Sequence, residues 1–248
     1  MPTVAELTEL YSSFMLGPRA GPDVCTTCFN FTRAYRRCYA CAHAQSSLDA
    51  MAPVSYSIAG EQLHHALANY KRLTGEFARR LQAELAAVLW RFLTEHERCL
   101  ARAAGADAFA LVTTVPSGVR ERDDGHPLRM MVAELVGPTR ARHARLLRRS
   151  RVKVPAREPS ADKYVVGHRL EGEAVLVIDD TWTTGASAQS AAAALRRAGA
   201  GPIAAVVLGR YVNRGWDHND RRLRGLATPF DWSRCALCAN QAWRPPAV

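Results

Sequence analysis

The stretch "VLVIDDTWTTGAS", Val175 to Ser187, constrains the fold more than any other part of the chain. Four apolar residues run without alternation into Asp179 and Asp180, and a small, hydroxyl-rich turn with Gly185 follows at once. A short apolar run of this kind is the pattern of a strand covered on both faces, as in a parallel sheet. The next segment, "ASAQSAAAALRRAGA", predicts a helix by propensity, with cations in its last turn and Gly199 as its cap. "PIAAVVLGR" then reads as another strand. Strand, helix and strand in this order indicate an α/β fold with a mainly parallel sheet.

The flanking sequence extends that pattern. "AFALVTTVPSG" reads as a strand ending in a Pro/Gly turn, "PLRMMVAELVG" as a helix with a glycine stop, and "KYVVGHRL" as a strand. From Gly60 to about Ala104 the chain is largely helical, interrupted around "RLTGE". Leu81, Leu85, Val88, Leu89, Phe92 and Leu93 recur there at spacings of three and four, a core-facing stripe. The N-terminal segment reads as an amphipathic helix with Leu7, Leu10, Tyr11 and Phe14 on one face. The boundaries expected are 1–24 for this helix and its linker, 25–45 for a cysteine module and 55–105 for helices packing on the core. Residues 106–225 then form the α/β domain and 226–248 a tail with a CxxC pair.

A strand that ends in two acids carries its own chemistry. Ligands of parallel α/β sheets bind beyond the carboxyl ends of the strands, which is where Val175 to Ile178 would deliver Asp179 and Asp180. The turn leads into a helix N-terminus, whose N–H groups and hydroxyls suit an anion, and Gly185 lets the backbone approach it closely. Carboxylates just before a phosphate cradle fit a sugar phosphate with vicinal hydroxyls. The metal-binding strand of a P-loop ATPase is excluded because no Gly-Lys pair occurs in the chain. The "GAG" at 199–201 closes a helix ahead of a strand, the wrong context for a dinucleotide fingerprint.

Six of the seven cysteines fall in CxxC pairs, a pattern of metal binding in a reducing compartment. Cys25, Cys28, Cys38 and Cys41 make CxxC-x9-CxxC, which suits a closed tetrahedral Zn²⁺ site with a structural role. Cys235 and Cys238 could share a site with one of those pairs, bind a second metal with help such as His43, or stay free thiols. Cys99 reads as a small buried apolar residue. No apolar run approaches the roughly 20 residues of a membrane span. The N-terminus lacks the basic region of a secretory signal, so the expectation is a cytoplasmic protein without a membrane partner.

The net charge of +10 points to anionic partners, but arginine supplies nearly all of it: the only lysines are Lys71, Lys153 and Lys163. The acid-free run "GPTRARHARLLRRSRVKVPAR" could grip a nucleic-acid backbone, a pyrophosphate or an acidic surface, or be a solvated arginine face. It contains no aromatic residue, which argues against a single-strand stacking platform.

Taken together, the opening stretch resembles the phosphoribosyl-pyrophosphate (PRPP) motif of type I phosphoribosyltransferases. The four-cysteine module, "YKRLTG", "TVPSG", this motif and "LRRAGA" occur in the order seen in the competence-protein ComF family. The resemblance implies a type I phosphoribosyltransferase sheet with an N-terminal helix and a small zinc module. It implies transfer of a 5-phosphoribosyl group from PRPP-Mg²⁺ to a small-molecule acceptor, usually a nitrogen, with release of pyrophosphate. By the same resemblance Asp179 and Asp180 hold the ribose hydroxyls, and Thr181, Thr183, Thr184, Gly185, Ala186 and Ser187 form the phosphate side of the site. Val115, Pro116, Ser117 and Gly118 form the pyrophosphate loop, and Arg120 and Arg122 supply charge to the leaving group. His126 is a candidate proton shuttle, and a lid is expected between about Arg120 and Lys163. The chain departs from the pattern at Thr181 and Trp182, where aliphatic residues are usual, and has "RERDDGHP" in place of an "RGFNQ"-type segment. The alternative reading is a non-catalytic accessory protein of the same kind that binds PRPP or nucleic acid.

Overall fold

A computed structural model describes residues 2–44, 46–117, 125–226 and 229–238. In chain order its elements are α1 (Val4–Phe14), α2 (Tyr39–His43), β1 (Ala50–Ile58), α3 (Gln62–Asn69), α4 (Gly75–Ala104) and β2 (Leu111–Thr114). There follow α5 (Pro127–Met130), a π-turn (Met131–Leu135), α6 (Gly137–Arg140), β3 (Leu147–Arg149) and β4 (Tyr164–Val166). The last elements are β5 (Val175–Trp182), α7 (Ala186–Arg197), β6 (Ile203–Val212) and α8 (Asn219–Arg224). Four strands form one sheet in the order β1-β6-β5-β2, every neighbouring pair parallel. The chain is therefore a mixed α/β fold on a parallel sheet.

The strand pleat sorts the side chains into two cores. On one face Leu176 and Ile178 of β5 and Ala204, Val206 and Leu208 of β6 pack with Leu85, Leu89, Phe92 and Leu93 of α4. On the other, Val175 and Val177 with Ile203, Ala205 and Val207 pack with Ala188, Ala191, Ala192 and Leu195 of α7. The four N-terminal cysteines belong to that second core. Both sheet edges are covered: Tyr56 of β1 donates its N–H to the Leu16 carbonyl, and β2 exchanges hydrogen bonds with residues 142–144. Among the described residues no helix is long and apolar enough to cross a membrane.

Several expectations change here. β1 occupies residues ahead of Gly60 and runs across the expected boundary at 55, so the segment 55–105 begins inside a strand. Pro53 obscures this strand in the sequence, and the strand forms around it with Pro53 opposite Val207 of β6. Tyr164–Val166 is a strand, but it pairs antiparallel with β3 in a separate two-stranded sheet. The "PLRMMVAELVG" helix breaks into α5 and the π-turn, and the chain turns helical again at Gly137. Glycine there makes room for packing, since a Cβ would stand 2.6 Å from the Trp90 indole. Leu128, Met131, Val132 and Val136 are buried in the α4-side core, so this part of the expected lid is core structure. On α1, Tyr11 is buried but Leu10 is 65% exposed.

Candidate functional site

β5 runs straight through both acids to Trp182, and neighbouring carboxylates on a strand face opposite ways. Asp180 is buried on the side of α3 and α4, where it accepts hydrogen bonds from the Tyr70 hydroxyl at 2.7 Å and from Lys71 Nζ at 2.6 Å. Burial and the Asp180 charge push the Tyr70 hydroxyl well above the usual phenol range. Asp179 accepts the Asp180 backbone N–H at 2.9 Å. Burial, then the neighbouring Asp180 charge, push the Asp179 carboxyl up to about 8, against the pull of Lys71 and Lys163. Lys163 is buried and donates to Ser187 Oγ at 2.9 Å. Burial and the Arg149 charge lower its pKa, while Asp179 works the other way.

The turn after β5 is shaped by Gly185 and Trp182. Gly185 has φ +85°, a left-handed conformation open to glycine, and a Cβ there would lie 2.1 Å from Trp182 Cζ2. The unusual tryptophan thus fills the space over the glycine. Its Nε1 is buried without a hydrogen-bond partner. Helix α7 starts at Ala186, whose N–H donates to Thr184 Oγ1 at 3.3 Å, and has no acid in its first turn. Two cavities meet at this point. One of about 640 Å³ is lined by Lys71, Thr74, Pro116, Ser117, His126 and Asp180 with Asp179, Thr181 and Ser187. The other, of about 220 Å³, shares those last three residues and is lined by Trp182, Thr183, Thr184, Gly185, Ala186 and the exposed Arg157.

The structure thus brings the predicted acids, the turn and Val115, Pro116 and Ser117 around one space. Gly118, Arg120 and Arg122 lie outside the described residues. Sequence reading assigned no role to Tyr70, Lys71 or Lys163 at this site. One signal was available: two of the three lysines in an arginine-rich chain flank the acid pair. The basic run divides: Arg142 is a structural anchor, paired with both Glu97 carboxylate oxygens at 2.5 and 2.8 Å, while Arg140, Arg148, Arg151 and Lys153 are exposed.

Cys25, Cys28, Cys38 and Cys41 converge, their sulfurs all within 4.8 Å of one another and Cys28 to Cys38 at 3.6 Å. Ligands at the usual zinc–sulfur length on a tetrahedron stand about 3.8 Å apart, so the cluster could hold a zinc-like ion. The fully buried Arg210 supports thiolate character. Among the described residues its guanidinium meets no carboxylate; it donates to the Cys28 and Trp182 carbonyls at 3.0 Å and lies 3.7 Å from Cys28 Sγ. Cys235 and Cys238 do not join this cluster, and His43 does not join them: its ring bonds the Tyr39 carbonyl. They meet His96 and Cys99 instead, a second group that could hold a zinc-like ion. Cys99 is therefore one of a cluster, contrary to its reading as an isolated apolar residue.

The fold and this site define an α/β protein with an acid pair at the end of a central strand and a thiol cluster on one face of the sheet. Compared with protein-family models, curated proteins and solved structures, the chain matches none.

Proposed function

We propose that the chain is a phosphoribosyltransferase of the type I kind that binds PRPP with Mg²⁺ and transfers the phosphoribosyl group to a nitrogen acceptor. The observation that carries this reading is the shared border of the two cavities: the acid pair lines one side and the Thr183–Ser187 turn the other. A ligand with vicinal hydroxyls and a phosphate matches both. The acid-free start of α7, Lys163 beside Ser187 and the unpartnered Trp182 Nε1 all favour an anion at the turn. Asp179 in its ionised form would offer the hard oxygen donor that Mg²⁺ prefers, and the ion would supply charge neutralisation at the departing pyrophosphate. Lys71 pairs with Asp180 and fixes it in place to accept a ribose hydroxyl. Val115, Pro116 and Ser117 would position the leaving group. The four-cysteine cluster holds a structural zinc in this reading.

Incubation with PRPP, Mg²⁺ and a panel of bases and amines tests the reading through pyrophosphate release. Release that depends on one acceptor and is lost in Asp179→Asn supports it. PRPP binding without release for any acceptor would make the chain a non-catalytic binding protein. No PRPP binding would end both versions.

A further inference from the structure

The second cysteine group lies far from the acid pair, on the α4 side of the sheet, and owes nothing to the phosphoribosyl reading. We infer that His96, Cys99, Cys235 and Cys238 form a second structural zinc site, which clamps the CxxC segment after α8 onto the long helix α4. Four ligand atoms of two types lie within 4.8 Å of one another, two from one helix and two from a segment 142 positions away in sequence. The spacing His-x-x-Cys puts both helical ligands on one face of α4, and CxxC forms the opposing knuckle. His96 Nδ1 is 3.9 Å from Cys99 Sγ and 3.8 Å from Cys238 Sγ. Tetrahedral zinc with ordinary bond lengths separates nitrogen and sulfur ligands by about 3.6 Å.

The orientation of His96 decides between a metal site and a chance gathering of thiols. Its Nε2 stands 2.8 Å from the Trp232 carbonyl, which can only accept. Nε2 therefore carries the proton and Nδ1 presents its lone pair to the sulfurs, as a metal-ligating histidine does when a carbonyl holds its other nitrogen. Within the knuckle the Cys235 N–H donates to Cys238 Sγ at 3.1 Å and the Cys238 N–H to Cys235 Sγ at 3.4 Å, contacts that stabilise thiolates. Zn²⁺ binding releases three thiol protons and leaves a site of net charge −1, with no position open for substrate.

The clamp explains how the segment is held. Phe230 donates its N–H to the Ser12 carbonyl and Trp232 Nε1 donates to Ser12 Oγ, each at 2.8 Å, while Arg91 of α4 covers the Trp232 ring. The zinc fixes the far end of this strap, so α1, α4 and the segment 229–238 become one unit.

The test is zinc stoichiometry on the full-length protein purified without chelator. Two zinc ions per chain are expected, falling to one in His96→Ala and in Cys238→Ser. Cys28→Ser should also retain one, and its cobalt-substituted form should show weaker thiolate-to-cobalt absorption than His96→Ala, because three sulfurs bind instead of four. Where a variant fails to fold, alkylation of the unmodified protein gives the same answer. Cys99, Cys235 and Cys238 should resist iodoacetamide until a strong chelator is added, then react together. One zinc per chain, with alkylation of these three cysteines indifferent to chelator, would overturn the inference. So would recovery of a Cys235–Cys238 disulfide from anaerobically prepared protein.

Discussion

Gly185→Ala is the most informative single change, because two separable penalties meet at one carbon. The φ of +85° lies where an L-residue pays about 1–2 kcal/mol. The added Cβ would also sit 2.1 Å from Trp182 Cζ2 and 2.4 Å from Cε2, contacts that require the indole to move. Trp182 is fully buried, so the displacement carries an overpacking cost of about 1–3 kcal/mol. The sum is about 2–5 kcal/mol, and at about 2–4 °C per kcal/mol for a chain of this size Tm falls by about 4–20 °C. Urea denaturation of a four-member cycle separates the parts. Trp182→Leu removes the ring that the Cβ strikes, so adding Gly185→Ala to that background should cost only the backbone share. The two changes should then show a favourable coupling of about 1–3 kcal/mol. Costs that add to within about 0.5 kcal/mol would refute the steric part of the reasoning. No loss from Gly185→Ala alone would refute the left-handed turn itself.

Three other perturbations address the neighbouring charges. Asp179 has its carboxyl raised to about 8 by burial and by Asp180, so the folded state holds its proton more tightly than the unfolded chain. Its contribution to stability is full below about pH 4, the unfolded value, and is lost as pH rises toward 8. Asp179→Asn should therefore raise Tm relative to the parent at pH 8 and lose that advantage toward pH 5; a pH-independent difference would count against a burial penalty. Lys71→Met takes a charged donor from the buried Asp180 and should cost about 1.5–3 kcal/mol in chemical denaturation, with an unchanged midpoint speaking against the pair. Arg210→Met strips donors from the Cys28 and Trp182 carbonyls, at about 1–3 kcal/mol for each group left unpaired. It should also speed zinc transfer to a colorimetric chelator, and Arg210→Lys should not restore the parent rate, since an ammonium cannot span both carbonyls.

What was legible in the sequence is what depends on near neighbours. β5, α7 and β6 announce themselves by an unbroken apolar run, an alanine-rich helix and a second apolar run, and the α4 stripe by its spacing of three and four. The four N-terminal cysteines are close in sequence, so their grouping could be anticipated. The partners of Asp180 could not: Tyr70 lies 110 positions earlier, and no local spacing connects it to the acid pair. The same limit hid the link of His96 and Cys99 to the second CxxC pair. β1 was hidden for a different reason, since Pro53 interrupts its apolar run and proline argues against a strand.

Arg210 shows why the thiol cluster and the acid-pair site belong to one structure. A buried guanidinium cannot lose its proton, so its charge must be answered where it lies. Among the described residues its hydrogen-bond partners are carbonyls and one sulfur, none of them a carboxylate. Carbonyl dipoles satisfy the N–H groups but carry no net charge. A zinc ion with four thiolates would carry −2 on a ligand set that includes Cys28 Sγ, 3.7 Å from the guanidinium. Neutral thiols would leave the cation without a counter-charge among the described residues of the core. The same guanidinium reaches the carbonyl of Trp182, the residue that covers Gly185 and forms the floor of the turn. Where the cluster holds zinc, its loss would act first on Arg210 and through it on the turn, without touching either aspartate. A chain stripped of metal should bind an anion at 183–187 more weakly while the Asp180 contacts to Tyr70 and Lys71 persist.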